Sequence, residues 1–154
     1  MKDSLNIWRD ENGIPHIEAE NRSDLYWGQG YVHGRDRGMQ MLLMRILGQG
    51  RACELLDSGD DTLAVDKFFR RMNWAGGVEE QLSALSDRNR RYLYSYAEGV
   101  TAALVEKRPW EFKLLGYRPD PWSAGDSIMM SRMVGYLTLS QSQGEVERLF
   151  VEMA

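Results

Sequence analysis

Apolar and polar residues alternate over residues 4–9 and again over 14–19, with Asp10-Glu11-Asn12-Gly13 between the two runs. Asn-Gly flanked by short alternating runs predicts a β-hairpin, because both residues tolerate positive φ. Pro15 brings no N–H to a ladder, which places its strand at an edge or puts the proline at its beginning. Beyond residue 20 the period becomes helical and holds to about Leu47. Asn21 or Ser23 can cap that helix, and Gly48 suits a left-handed stop. Residues 51–56 read as a short turn or helical continuation, and 58–61 as loop. Further helices are predicted over about 63–73, from Gly76-Gly77 to Leu85, and from a Ser86 cap to Pro109. The last of these carries Leu93, Tyr96, Ala97, Val100, Ala103 and Leu104 at helical spacing. Pro109, Pro119 and Pro121, with Trp110 and Trp122, predict an extended, aromatic-anchored connection. Ser123-Ala124-Gly125-Asp126 fits a capping box before an apolar run reaching Leu139. After an interruption over 141–144, Val146, Leu149, Phe150 and Met153 form a final amphipathic stripe.

This pattern predicts a single, mainly α-helical domain with a hairpin at 4–19 and helices across 23–153. A lone hairpin is marginal in water, and no other clear strand is present for it to join. A partner chain or a continuation of this one is therefore expected to complete the fold. Inside the first long helix, Gly30, Gly34 and Gly38 recur every four residues. Each costs roughly 1 kcal/mol relative to alanine in a helix interior, so their common face predicts close approach of another backbone. Arg35, Asp36 and Arg37 interrupt the stripe and exclude a membrane-dimer motif. His33 and Arg37 share a helical face beside Asp36 and Gln40, and the expected arrangement is a buried, hydrogen-bonded network.

Composition narrows the classes of function. The chain has 154 residues, enough for one domain with a real core. Its net charge of −4 argues against a nucleic-acid footprint. Cys53 is the single cysteine, so no internal disulfide forms. No apolar run has the length of a membrane span. No leader precedes Met1, which favours the cytoplasm, or the periplasm if a leader was removed. His16 and His33 lack partners at metal-ligand spacing, so a metal-dependent hydrolase finds no support. Gly28-Gln29-Gly30 follows no strand and is no phosphate loop, and no Gly-x-Ser-x-Gly elbow occurs. Pairs such as Glu79-Glu80 read as solvated faces. Taken alone, the residues contain no catalytic constellation, and a non-catalytic helical binding module stands as the alternative to an enzyme subunit.

Several blocks, in order, resemble the α-chain of the penicillin acylase family of N-terminal-nucleophile hydrolases. They are Arg9 to Ile17, Tyr26 to Val32 continuing into Asp36-Arg37 and Gln40-Met41, and Gly50 to Leu56. Then come Tyr96 to Val100, and Phe112 through Leu115-Gly116-Tyr117 to Pro119, Pro121, Trp122 and Asp126. The resemblance covers essentially the whole chain. It departs at Gly34-Arg35, where relatives have Ala-Gln, and at Thr101, where they usually have Asn; both positions read as structural. The resemblance implies one chain of an αβ heterodimer cut from a single precursor by autoproteolysis, within a four-layer αββα fold. It implies hydrolysis of a linear amide, its leaving group an amine, an amino-lactone or a β-lactam, through an acyl-enzyme. The nucleophile would be the first residue of the larger β-chain, and no catalytic residue would lie in this chain. Met133, Tyr136 and Leu137 are implied as acyl-pocket residues, with ordinary core packing as the competing reading. The relatives' Arg-Phe pair is missing here, so an aliphatic acyl group, as in acyl-homoserine lactones, fits as well as phenylacetyl. Glu145 is implied as a ligand of a structural Ca2+ together with β-chain oxygens, against a solvated first-turn glutamate. No organic cofactor is implied.

Overall fold

The computed structural model describes residues 5–114, 116–139 and 151. It opens on the expected hairpin, β1 (Leu5–Arg9) antiparallel to β2 (Pro15–Ala19), with Leu5 opposite Ala19 and Arg9 opposite Pro15. The turn uses its residues differently from expectation. Only Gly13 has positive φ, at 77°, while Asn12 does not. Gly13 N–H donates to the Asp10 carbonyl at 3.0 Å and Asp10 N–H to Ile14 O at 3.1 Å, a type I turn closed by a left-handed glycine bulge. The Asp10 carboxylate accepts from the amides of Asn12 and Ile14, both at 2.9 Å, and lies 3.2 Å from His16. These bonds, the Ile14 amide foremost and His16 next, hold its carboxyl below the usual range.

Helix α1 (Arg22–Gly48) starts at Asn21, whose side chain accepts from Asp24 N–H at 3.0 Å, and Ser23 falls within the first turn. Gly48 is its last helical residue but not a left-handed stop. That residue is buried against Met133, whose Sδ would stand 2.4 Å from an added Cβ, and the left-handed turn comes at Gly50, φ 62°. Arg37 departs from helical dihedrals (φ −127°, ψ 17°) and kinks the helix. Then follow α2 (Ala52–Leu55), α3 (Asp60–Met72), α4 (Val78–Ala84) and α5 (Asp87–Glu106). Asp60 and Asp61, expected in a loop, form the first turn of α3, where carboxylates favour the helix dipole. The connection expected to be extended contains a short helix, α6 (Trp110–Leu114). Phe112 is fully buried there while Trp110 is exposed, so Phe112 and Trp122 are the anchors. In α7 (Ala124–Leu139) the capping box forms: Ser123 Oγ accepts from Asp126 N–H at 3.0 Å, and Asp126 Oδ2 accepts from Ser123 N–H at 2.8 Å. The expected interruption at 141–144 and the last amphipathic stripe fall outside the described residues. Among the described residues the hairpin is the only sheet, and no helix is long and apolar enough to cross a membrane.

The glycine stripe performs as expected. An added Cβ would stand 2.1 Å from the Tyr96 carbonyl oxygen at Gly30, and 2.8 Å from Ala103 Cβ at Gly34. Gly99 answers from α5, where a Cβ would lie 2.0 Å from Trp27 O. Glycine on both sides therefore lets α1 and α5 pack backbone to backbone. At the rim of the seam, Tyr31 and Arg35 both donate to Glu106 at 2.6 Å. Leu42, Ile46, Val100 and Phe112 form the main core beside the seam, and Trp74, Met129 and Met133 a second cluster under α7. The buried Arg45 guanidinium donates to Asp120 O at 3.1 Å and to Asp126 at 3.5 Å, and lies 5.5 Å from the Trp122 ring. It thereby ties the proline-rich connection to α1. Thr101 Oγ1 accepts from Trp122 N–H at 2.9 Å, so this departure from the family pattern also holds that connection.

Candidate functional site: a cleft between three helices

A cleft of about 910 Å³ runs between α1, α5 and α7, within the size range of small-molecule sites. Each helix contributes one face. From α1 come Tyr26, Gln29, His33, Arg37, Gln40 and Met44, spaced three or four residues apart. From α5 come Asn89, Tyr92, Leu93 and Tyr96, and from α7 Ser127, Met130, Ser131, Val134, Gly135 and Thr138. The glycine face of α1 is offset by one residue from this stripe, so the contact that joins α1 to α5 also aims the stripe into the cleft. Trp122 lies at the end of the connection that Arg45 holds, and its indole N–H donates to Ser127 Oγ at 3.0 Å.

Methionine, leucine, valine and tryptophan carbon supplies the apolar lining, with polar groups among it. His33 Nδ1 lies 2.9 Å from Tyr96 Oη, the two rings meeting edge to face at 5.7 Å. Burial pushes the Tyr96 phenol above its ordinary pKa, so it stays protonated at neutral pH. Tyr26 and Tyr92 stack at 4.8 Å across the α1–α5 junction. Arg37, at the kink, adds a cation. The arrangement can enclose an apolar group and offer hydrogen bonds and a positive charge to a polar one.

The structure redraws the expected His33–Asp36–Arg37–Gln40 network. His33 and Arg37 do share a face, but all four residues are exposed. Asp36 turns away from the cleft and pairs with Arg9 of β1 at 2.6 Å. His33, Arg37 and Gln40 line the cleft instead. The helix has no buried room for the network, because its buried face is occupied by glycine against α5.

The three implied acyl-pocket residues, at i, i+3 and i+4, share one side of α7, and it is not the side that lines the cleft. Met133 is fully buried beside Trp74 and Met129, behind the cleft-facing side of α7. Tyr136 meets the same Trp74 at 5.1 Å and Phe68 at 6.4 Å, and Leu137 is exposed. Their neighbours Met130, Val134, Gly135 and Thr138 face the cleft. Glu145 lies outside the described residues, and among those described no group of His, Cys, Asp or Glu could hold a metal ion. The sequence reading missed Tyr26, Tyr92, Tyr96, Met130 and Gly135. The signal for the first was the polar and aromatic stripe running one residue out of phase with the glycines.

The model of the penicillin amidase family matches residues 4–154. The chain belongs to the penicillin amidase family. Among its relatives, the acyl-homoserine lactone acylase QuiP of Pseudomonas aeruginosa is 33% identical over 97% of this chain. Penicillin G acylase of Escherichia coli is 34% identical over 94% of it. Each match takes in 18% of the relative, so this family member spans less than a fifth of their length. Its fold is similar to thermostable penicillin G acylase from Alcaligenes faecalis, with a TM-score of 0.76 and 27% identity. That likeness covers 90% of this chain and 76% of the solved one.

Proposed function

We propose that this chain is the smaller chain of a two-chain amide hydrolase of the acylase kind, in which its cleft forms one wall of the acyl pocket. The cleft carries the proposal: an apolar lining backed by α7, with hydrogen-bonding groups among it, in a chain of this family. Coverage supports the division into two chains. The chain takes in 18% of the curated relatives but 76% of the matching chain of the solved acylase.

The larger chain then supplies the reaction. Its N-terminal hydroxyl or thiol attacks the amide carbonyl, with its own α-amine accepting the proton through water. The tetrahedral state collapses as the amine leaves with a proton, and water next cleaves the acyl-enzyme to release the acid. This chain holds the acyl group in place through that sequence. On α7, Met130, Val134 and Gly135 face it, Met133 backs the wall, and Tyr136 and Leu137 extend the apolar surface towards the larger chain. Glu145 would hold a structural Ca2+ together with oxygens of the larger chain, since the ion's oxygen preference suits a carboxylate completed by another chain. Chelator is then expected to lower the melting temperature of the assembled protein but not that of Glu145→Ala; an equal drop in both would remove Glu145 from the site.

Gly135 provides the test of the pocket. An added Cβ there meets nothing within 4 Å, so a larger side chain enters the cleft without disturbing the helix. In the assembled enzyme, Gly135→Leu is expected to lower kcat/KM for the longest accepted acyl amides about tenfold or more, leaving short ones nearly unchanged. Met133→Ala, which loosens the wall from behind, is expected to broaden acyl preference. Uniform changes across the acyl series in both variants would take α7 out of the pocket.

A further inference from the structure

In the register of the hairpin, Asp10 exchanges its main-chain groups with the far side of the turn, and pairing alternates from there. Trp8 opposite His16 and Asn6 opposite Glu18 are therefore the hydrogen-bonded pairs. Leu5, Ile7 and Arg9 on β1, with Pro15, Ile17 and Ala19 on β2, direct their N–H and C=O groups away from the partner strand. The two outer edges are not equivalent. The β2 edge lacks a donor at Pro15, whereas β1 offers an unbroken row of N–H donors at Leu5, Ile7 and Arg9. Proline and charge are how proteins blunt an edge against pairing. Here the proline guards β2, and the one β1 charge, Arg9, is drawn off to Asp36 and to Gly13 O, both under 3 Å.

The β1 edge is also held rigid. Leu5, Ile7 and Ile17 close over Gly28 of α1, where an added Cβ would lie 2.7 Å from Ile17 and 3.0 Å from Leu5. The Arg9–Asp36 pair fixes the other end. An edge held in place loses little freedom when a strand docks on it. We propose that β1, not β2, is the docking edge for a β-strand of the larger chain, making the hairpin the end of a sheet that continues into that chain. The occupant follows from length: relatives carry more than four-fifths of their polypeptide outside the matched region. The inference rests on the two-chain reading above.

Hydrogen exchange resolved to single amides, on the protein purified with all its chains, reads the edge directly. Ile7 and Arg9 N–H are expected to exchange at least 100-fold more slowly than Ile17 N–H. Equal rates, or slower exchange at Ile17, would overturn the proposal. Paired variants give an independent reading. Ile7→Ala and Ile7→Pro both lose the side chain, and neither touches a bond to β2, but only proline deletes the outward donor. Recovery of the larger chain with this one is expected to fall at least tenfold further in Ile7→Pro than in Ile7→Ala, and an equal loss counts against a strand on β1. Finding this chain with no second polypeptide sinks the two-chain reading and the edge with it; two chains with fast exchange at Ile7 sinks the edge alone.

Discussion

A Cβ added at Gly30 would stand 2.1 Å from the Tyr96 carbonyl oxygen, whereas one added at Gly135 would meet nothing within 4 Å. The two glycines cost their helices about the same in propensity, yet only Gly30 is repaid by packing. Gly30→Ala, and likewise Gly99→Ala against Trp27 O, is expected to destabilise by about 3 kcal/mol, because rigid backbone opposes the new methyl. Gly135→Ala is expected to stabilise by about 0.5–1 kcal/mol, since the helix gains propensity and nothing is displaced. Chemical denaturation of the three variants measures both effects. A stabilised Gly30→Ala would contradict the backbone-to-backbone seam, and a destabilised Gly135→Ala would contradict the open wall. Gly30 could be read from the sequence because it belongs to a four-residue stripe. Gly135 stands alone in an apolar run, so nothing in its spacing marks what it leaves open.

Among the elements, those whose signals are local were legible. Asn21, Ser86 and the Ser123–Asp126 box cap their helices as the sequence indicates. Where tertiary packing overrides local preference, the reading shifts. Gly48 suits a left-handed stop by its chemistry, but it packs against Met133 as the last helical residue of α1, and the left-handed glycine is Gly50. Prolines around residues 109–121 suggested extended chain, but burial of Phe112 curls part of it into α6. The cleft was the least legible feature. His33 and Tyr96 are 63 positions apart, and only the α1–α5 seam brings their side chains to 2.9 Å. The stripe that carries His33 mixes Tyr, Gln, His and Arg, so no hydrophobic period marks it. On α7, Met133 and its neighbours point to different sides of one helix, which sequence proximity alone conceals.

For the whole molecule, three features point outward. Among the described residues the hairpin is a two-stranded sheet with open edges. The cleft opens to the surface, and Phe68, Tyr136 and Leu137 leave large apolar side chains exposed on and beside α7. A single complementary chain, on the far side of α7 and along β1, would cover all three, which makes the two-chain assembly the central claim. Its most direct test is intact-mass analysis of the protein purified from its natural source, with N-terminal sequencing of every chain that accompanies it. The account predicts a second, larger chain that begins with Ser, Thr or Cys; this chain alone, folded and monodisperse, would contradict it.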